Sequence, residues 1–142
     1  MHICACGQFR EYLIMLVDLP PATPISTETH LIYRHIGLVT PRGTILSCSA
    51  KWGGVGQEYV HDFTQGRPWK VEPAPSDLPW WEVFERAQMF AGRPYHLTDW
   101  NCECFVNACY GLPARSRQAE ATMAAIGLGV LAITAYQIHS RK

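Results

Sequence analysis

Neither sign of charge is in excess in this chain: 12 Lys and Arg balance 12 Asp and Glu over 142 residues. A balanced chain makes no global field, so attraction to nucleic acid or an anionic surface must come from a local patch. The pattern of a secretory leader is absent too. Arg10 and Glu11 stand directly before the short apolar run "YLIMLV" at 12–17, and no small-residue cleavage site follows it, so the body is expected to be cytosolic. There is no internal repeat. "GGVG" at 53–56 has neither the lysine nor the helix start of a phosphate loop, which leaves a flexible turn. Six cysteines are present, but a chain this long and this aromatic does not need a disulfide framework, and a reducing compartment keeps thiols free.

Long uncharged runs are scarce, with one exception. "ATMAAIGLGVLAITAYQI", 121–138, carries no charge and is bracketed by Arg115 and Arg117 before it and by Arg141 and Lys142 after it. Eighteen helical residues span about 27 Å, just under a hydrocarbon core of roughly 30 Å. Ala121, Ile126, Leu128, Val130, Leu131 and Ile133 are the residues that would meet lipid. Small residues in the run also suit close helix packing, so the competing reading is a helix buried against the domain.

The rest reads as one α+β domain, a small antiparallel sheet packed with helices, with the hydrophobic helix behind it. Strands are expected at 12–17, 31–40 and 44–49, the last two joined by the turn Pro41-Arg42-Gly43. The Gly- and Pro-rich stretch 50–76 holds Trp52, Tyr59, Phe63 and Trp69, and these should fold it as turns and short strands against the core. Asp77 is expected to cap a helix with Pro79 in its first turn, running to Gly92 with Trp81, Phe84 and Met89 at helical spacing. Three segments follow: an N-terminal extension over 1–28 that can add a strand, a domain over 29–113, and the tail over 114–142.

"DWNCECFVNACYG" at 99–111 carries the chemistry. Asp99 or Asn101 caps a second helix, Phe105, Val106 and Cys109 turn inward, and Gly111 stops it. Cys102 therefore lies in the first turn, where helix-end amides lower a thiol pKa. A nucleophilic cysteine also needs an imidazole. Of His2, His30, His35, His61, His96 and His139, His35 is the one that begins the strand "HIGLV", where a rigid scaffold can hold it. From these residues alone, a nucleophile with its base and a pair of ordinary core residues remain alternatives.

Together, "YRHIGLV" at 33–39 and "NCECFVN" at 101–107 resemble the H-box and NC motifs of the permuted papain-like family. That family includes the NlpC/P60 peptidases, lecithin:retinol acyltransferase and the H-box phospholipase/acyltransferases. The "YHLT..NC" approach, the "YG..ARS" exit and the hydrophobic tail extend the likeness over roughly residues 30–142. The small size and altered motif look most like the picornaviral, kobuvirus-like 2A proteins of H-box/NC type. The resemblance implies Cys102 as nucleophile, His35 as general base, Asn101 as helix cap with nearby amides for an oxyanion, and no cofactor or metal. The family's second histidine, twelve residues after the first, is Ser47 here, a degraded third member that cannot hold a charge. Cys104 and Ile36 replace a family histidine and aromatic. A three-residue loop at 41–43 would pair Gly37 with Ser47 and set Ser47 on the His35 face; a two-residue loop would set Cys48 there.

The resemblance thus implies acyl transfer from a glycerophospholipid ester at a membrane. The competing expectation, and the favoured one given two altered motif positions, is a viral adaptor. It would sit at host membranes in viral replication, in the host cytoplasm, bind host or replication proteins, and keep the fold with a vestigial site. A third reading is RNA binding through the basic-aromatic cluster of Arg67, Trp69 and Lys70 with the tail-flanking arginines. Zinc held by His2, Cys4 and Cys6 or by Cys102 and Cys104 is disfavoured, because the one-residue spacing is too short for a structural site.

Overall fold

The computed structural model describes Leu16, residues 18–30 and residues 33–140. Strands β1 (Pro24–His30), β2 (Tyr33–Val39), β3 (Ile45–Ser49), β4 (Gly54–Glu58) and β5 (Trp69–Val71) form an antiparallel sheet in the order β4-β3-β2-β1-β5. Helices α1 (Val60–Thr64), α2 (Trp80–Met89), α3 (Cys102–Cys109) and α4 (Arg117–His139) accompany it. This is the expected α+β class with a C-terminal apolar helix. β1 begins at Pro24, within the stretch 1–28 read as an extension, and it lies inside the sheet between β2 and β5.

The β2–β3 hairpin fixes which side chains share a face. Thr40 N–H donates to the Thr44 carbonyl at 2.8 Å and Gly43 N–H to the Thr40 carbonyl at 3.0 Å. Gly43 supplies the left-handed φ of 71° that this loop requires. Leu38 then pairs with Leu46 and Val39 with Ile45, which is the three-residue register. Alternation sends Ile36, Leu38 and Cys48 to one face, where they pack with Val83, Ala87, Phe105 and Val106 of α2 and α3. Val39 and Ile45 go to the other, against Ile25, Leu16, and Val60 and Phe63 of α1.

The strand expected at 12–17 falls outside the described residues except for Leu16, which is buried with helical backbone. Other expectations fail for identifiable reasons. Asp77 does not cap α2. Pro79 takes that position at φ −65° with no side-chain cap, because its ring presets the dihedral that starts the helix. The buried face of α2 is Val83 and Ala87, which pack with Phe105 and Val106 of α3, while Trp81 and Met89 are exposed. Stretch 50–76 supplies β4 and β5 as short strands, and also α1, which was not expected.

α4 does not pack its apolar surface against the domain. None of its residues is buried. Its 23 residues reach about 35 Å, and the helix is long and apolar enough to cross a membrane by length and composition.

Both outer strands are guarded. β5 has only three residues. On β4, Gly54 forms a bridge with Pro94, and the Trp52 indole lies against Gly56, where a Cβ would meet it at 2.4 Å.

Gly37 sits where β2, β3 and α1 converge. A Cβ there would come within 2.5 Å of Ile45 Cγ2 and 3.0 Å of Phe63 Cε2. Gly37→Ala should destabilise the domain by about 1–3 kcal/mol through overpacking, read as a lower urea midpoint in detergent; an unchanged midpoint would show that Ile45 yields freely.

Candidate active site

Asn101, fully buried, organises the start of α3. Its Oδ1 accepts from the N–H groups of Glu103 at 3.0 Å and Cys104 at 3.1 Å, and its Nδ2 donates to the Leu97 carbonyl at 2.8 Å. Asn101, not Asp99, is therefore the cap. The cap also engages two of the first-turn amides, leaving the Cys102 N–H as the first-turn amide it does not engage for a developing oxyanion.

Cys102 has no exposed surface. Its Sγ lies 3.2 Å from the Tyr33 hydroxyl and donates weakly to the Arg34 carbonyl at 3.9 Å. Either the thiol or the Tyr33 hydroxyl can be the donor of the shorter contact. Burial pushes the Cys102 thiol up, against the lowering effect of the Tyr33 hydrogen bond, so the protonated form is favoured. The helix-end advantage expected for Cys102 is outweighed by desolvation. Burial likewise raises the Tyr33 phenol, with the Cys102 charge the next cause.

His35 is in β2 and 9% exposed. Its Nε2 is 3.3 Å from Ser47 Oγ, and its ring stacks on Phe63 at 4.7 Å and 29°. Both neighbours belong to the α1 face, whereas Ile36 and Cys48 pack with Cys102 on the other. Thus His35 and Ser47 are brought together. Cys102 meets β2 at its edge, and no hydrogen bond joins it to His35. Burial lowers the His35 pKa to about 4, while buried Glu58 pulls upward and Lys51 downward. A cavity of about 190 Å³ beside the imidazole is lined by Tyr33, His35, Cys48, Glu58 and Tyr95 among others.

Residue order did not single out Tyr33 or Gln118. Gln118, at the start of α4, accepts from Arg34 N–H at 2.8 Å and donates to the Arg34 carbonyl at 3.1 Å, a side-chain imitation of a β ladder. Tyr33 stands two residues before His35 in "YRHIGLV", a spacing that could have flagged it; nothing local marks Gln118. The other histidines lie elsewhere: His96 is exposed and 3.4 Å from Asp99, His61 is in α1, His30 ends β1 and His139 ends α4.

The four described cysteines, Cys48, Cys102, Cys104 and Cys109, are buried free thiols. Among the described residues no three His, Cys, Asp or Glu side chains form a metal-holding group, and His2, Cys4 and Cys6 lie outside them. In the basic cluster, Arg67 donates to the Glu28 carbonyl at 3.2 Å and also to that of Thr29, while Lys70 is 3.5 Å from Glu72. Both cations are engaged within the fold. Arg115 pairs with Glu120 at 2.9 Å, and Arg141 and Lys142 lie outside the described residues.

The site thus joins a buried thiol at a capped helix start to a five-stranded antiparallel sheet that carries a buried histidine on β2. The family model for lecithin retinol acyltransferase matches residues 26–113, more than half of the chain, and the chain belongs to that family. No curated protein matches it.

The buried imidazole has a measurable consequence. His35 stays neutral in the folded chain down to about pH 4, whereas in the unfolded chain it takes a proton below about 6.5. Its contribution to stability is complete above about pH 6.5 and is lost as pH falls toward 4, by on the order of 3 kcal/mol at most. Urea unfolding in detergent at pH 7 and pH 4.5 should show that loss, and His35→Gln should shrink it; equal losses in both proteins would assign the acid sensitivity to other groups.

Proposed function

We propose that this chain is a membrane-attached adaptor of the lecithin retinol acyltransferase family whose acyl-transfer site is vestigial. The state of Cys102 carries the reading. The thiol is buried, its protonated form favoured, and it is bonded to Tyr33 and Arg34, while His35 bonds to Ser47 on the α1 side of the sheet. Ser47 cannot supply the charge or tautomer control of a second histidine, an effect worth up to about four orders of magnitude in turnover in a triad. The exposed apolar α4 supports attachment to a membrane. Resemblance to the picornaviral H-box/NC proteins supports a place at host membranes in viral replication, with host or replication proteins as partners.

A second reading is thiol-dependent acyl transfer on glycerophospholipids. It is favoured by the position of Cys102 on a capped helix and by the surviving His35–Ser47 contact. In that chemistry His35 would take the Cys102 proton, and the thiolate would attack the ester carbonyl. The lysolipid alkoxide would leave with that proton, and water or an amine would then take the acyl group from the thioester. The thiol would first have to leave the Arg34 carbonyl for His35.

Mass spectrometry of the full chain after incubation with phosphatidylcholine vesicles separates the two. We expect no acyl adduct at Cys102 on folded, vesicle-bound protein. An adduct absent from Cys102→Ala and from His35→Ala would overturn the adaptor reading and establish acyl transfer.

A further inference from the structure

The first turn of α4 is tied to both elements that hold Cys102. Glu103, the residue after the thiol, accepts through Oε2 from Ser116 Oγ at 2.8 Å and from Gln118 N–H at 3.2 Å. Ser116 in turn caps α4, accepting from Ala119 N–H at 3.1 Å. Asn107, one and a half turns along α3, donates to the Arg115 carbonyl at 2.9 Å. From the same turn the Gln118 side chain reaches β2 and takes both backbone groups of Arg34. The Arg34 carbonyl is also the acceptor for the Cys102 thiol.

Beyond this turn α4 buries nothing, so the helix touches the domain at one end. The uncharged run starts at Ala121, three residues past Gln118, or about 5 Å along the axis. The attachment therefore sits where the helix would enter hydrocarbon. Gln118 also closes a gap. β2 and β3 pair only at Leu38–Leu46 and Val39–Ile45, and toward Arg34 the edge of β2 is covered by Gln118 and Cys102 instead of a strand.

We infer that Glu103, Ser116 and Gln118 form a latch between the membrane helix and the edge of β2, in which Gln118 is a positioning residue that keeps Arg34 in place over the Cys102 thiol and so limits access to it. The latch goes beyond the adaptor reading and does not depend on acyl transfer. Releasing Gln118 frees the Arg34 peptide groups to hydrate, removes the lid from one side of Sγ and exposes the thiol. Glu103 acts through the α4 start, since its carboxylate holds the turn from which Gln118 projects.

The test is site-resolved alkylation of the full chain in phosphatidylcholine vesicles with iodoacetamide, reading Cys102 against Cys109 by peptide mass spectrometry. Cys109 lies on the same helix, is fully buried and has its pKa raised to about 12 by burial, so it reports general loosening. Loss of one or two hydrogen bonds should speed Cys102 alkylation about fivefold or more in Gln118→Ala, with Cys109 unchanged. Glu103→Ala should behave the same way, and Glu103→Gln, which keeps an acceptor oxygen, should return close to the parent rate. Equal rates at Cys102 in the parent and Gln118→Ala would overturn the latch, as would parallel acceleration of Cys102 and Cys109. A phosphatidylcholine acyl adduct, present or absent, bears on the functional reading alone.

Discussion

The backbone of one residue, the N–H and C=O of Arg34, sets the terms for the rest of this structure. Backbone groups withdrawn from water must find partners, and here the neighbouring strand has already parted from β2. A glutamine from the last helix and a thiol from α3 take its place. Three elements distant in sequence are thereby brought to a single point. The register of the sheet, the cap of α3 and the origin of α4 all have to agree for that point to exist.

The consequence for Cys102 is electrostatic. A helix N-terminus favours a thiolate, but its influence is confined to the first turn and competes with burial. With no exposed surface, the sulfur lacks the water that would stabilise its charge, and burial outweighs the lowering effect of its bonds with Tyr33 and the Ile36 and Glu103 backbone. His35 experiences the same withdrawal from water with the opposite charge. Burial favours neutral imidazole and neutral thiol together, the reverse of the ion pair that an activated cysteine needs.

Much of this was legible from residue order because its causes are local. Pro41-Arg42-Gly43 narrowed the β2–β3 pairing to two registers, and the left-handed Gly43 selects one. The cap was narrowed to Asp99 or Asn101, of which Asn101 takes the role, and Phe105, Val106 and Cys109 marked the buried face of α3. Long-range choices were not legible. Trp81 and Met89 have the size of core residues, yet the face of α2 turned to the core carries Val83 and Ala87. Alternation placed Ser47 beside His35, but residue order could not reveal that the thiol would meet the strand at its edge. Gln118 was invisible because its role depends on a gap between two strands, and a gap has no signature in the residues that border it.

The two outer strands bear on how the chain behaves in company. Wherever copies of a chain are held close together, one exposed strand edge on each molecule is enough to seed stacking between neighbours. A three-residue β5 offers little template, and the Pro94 bridge with the Trp52 ring leaves β4 poorly shaped for an incoming strand. Among the described residues, the sheet thus ends at both edges in strands ill suited to extension.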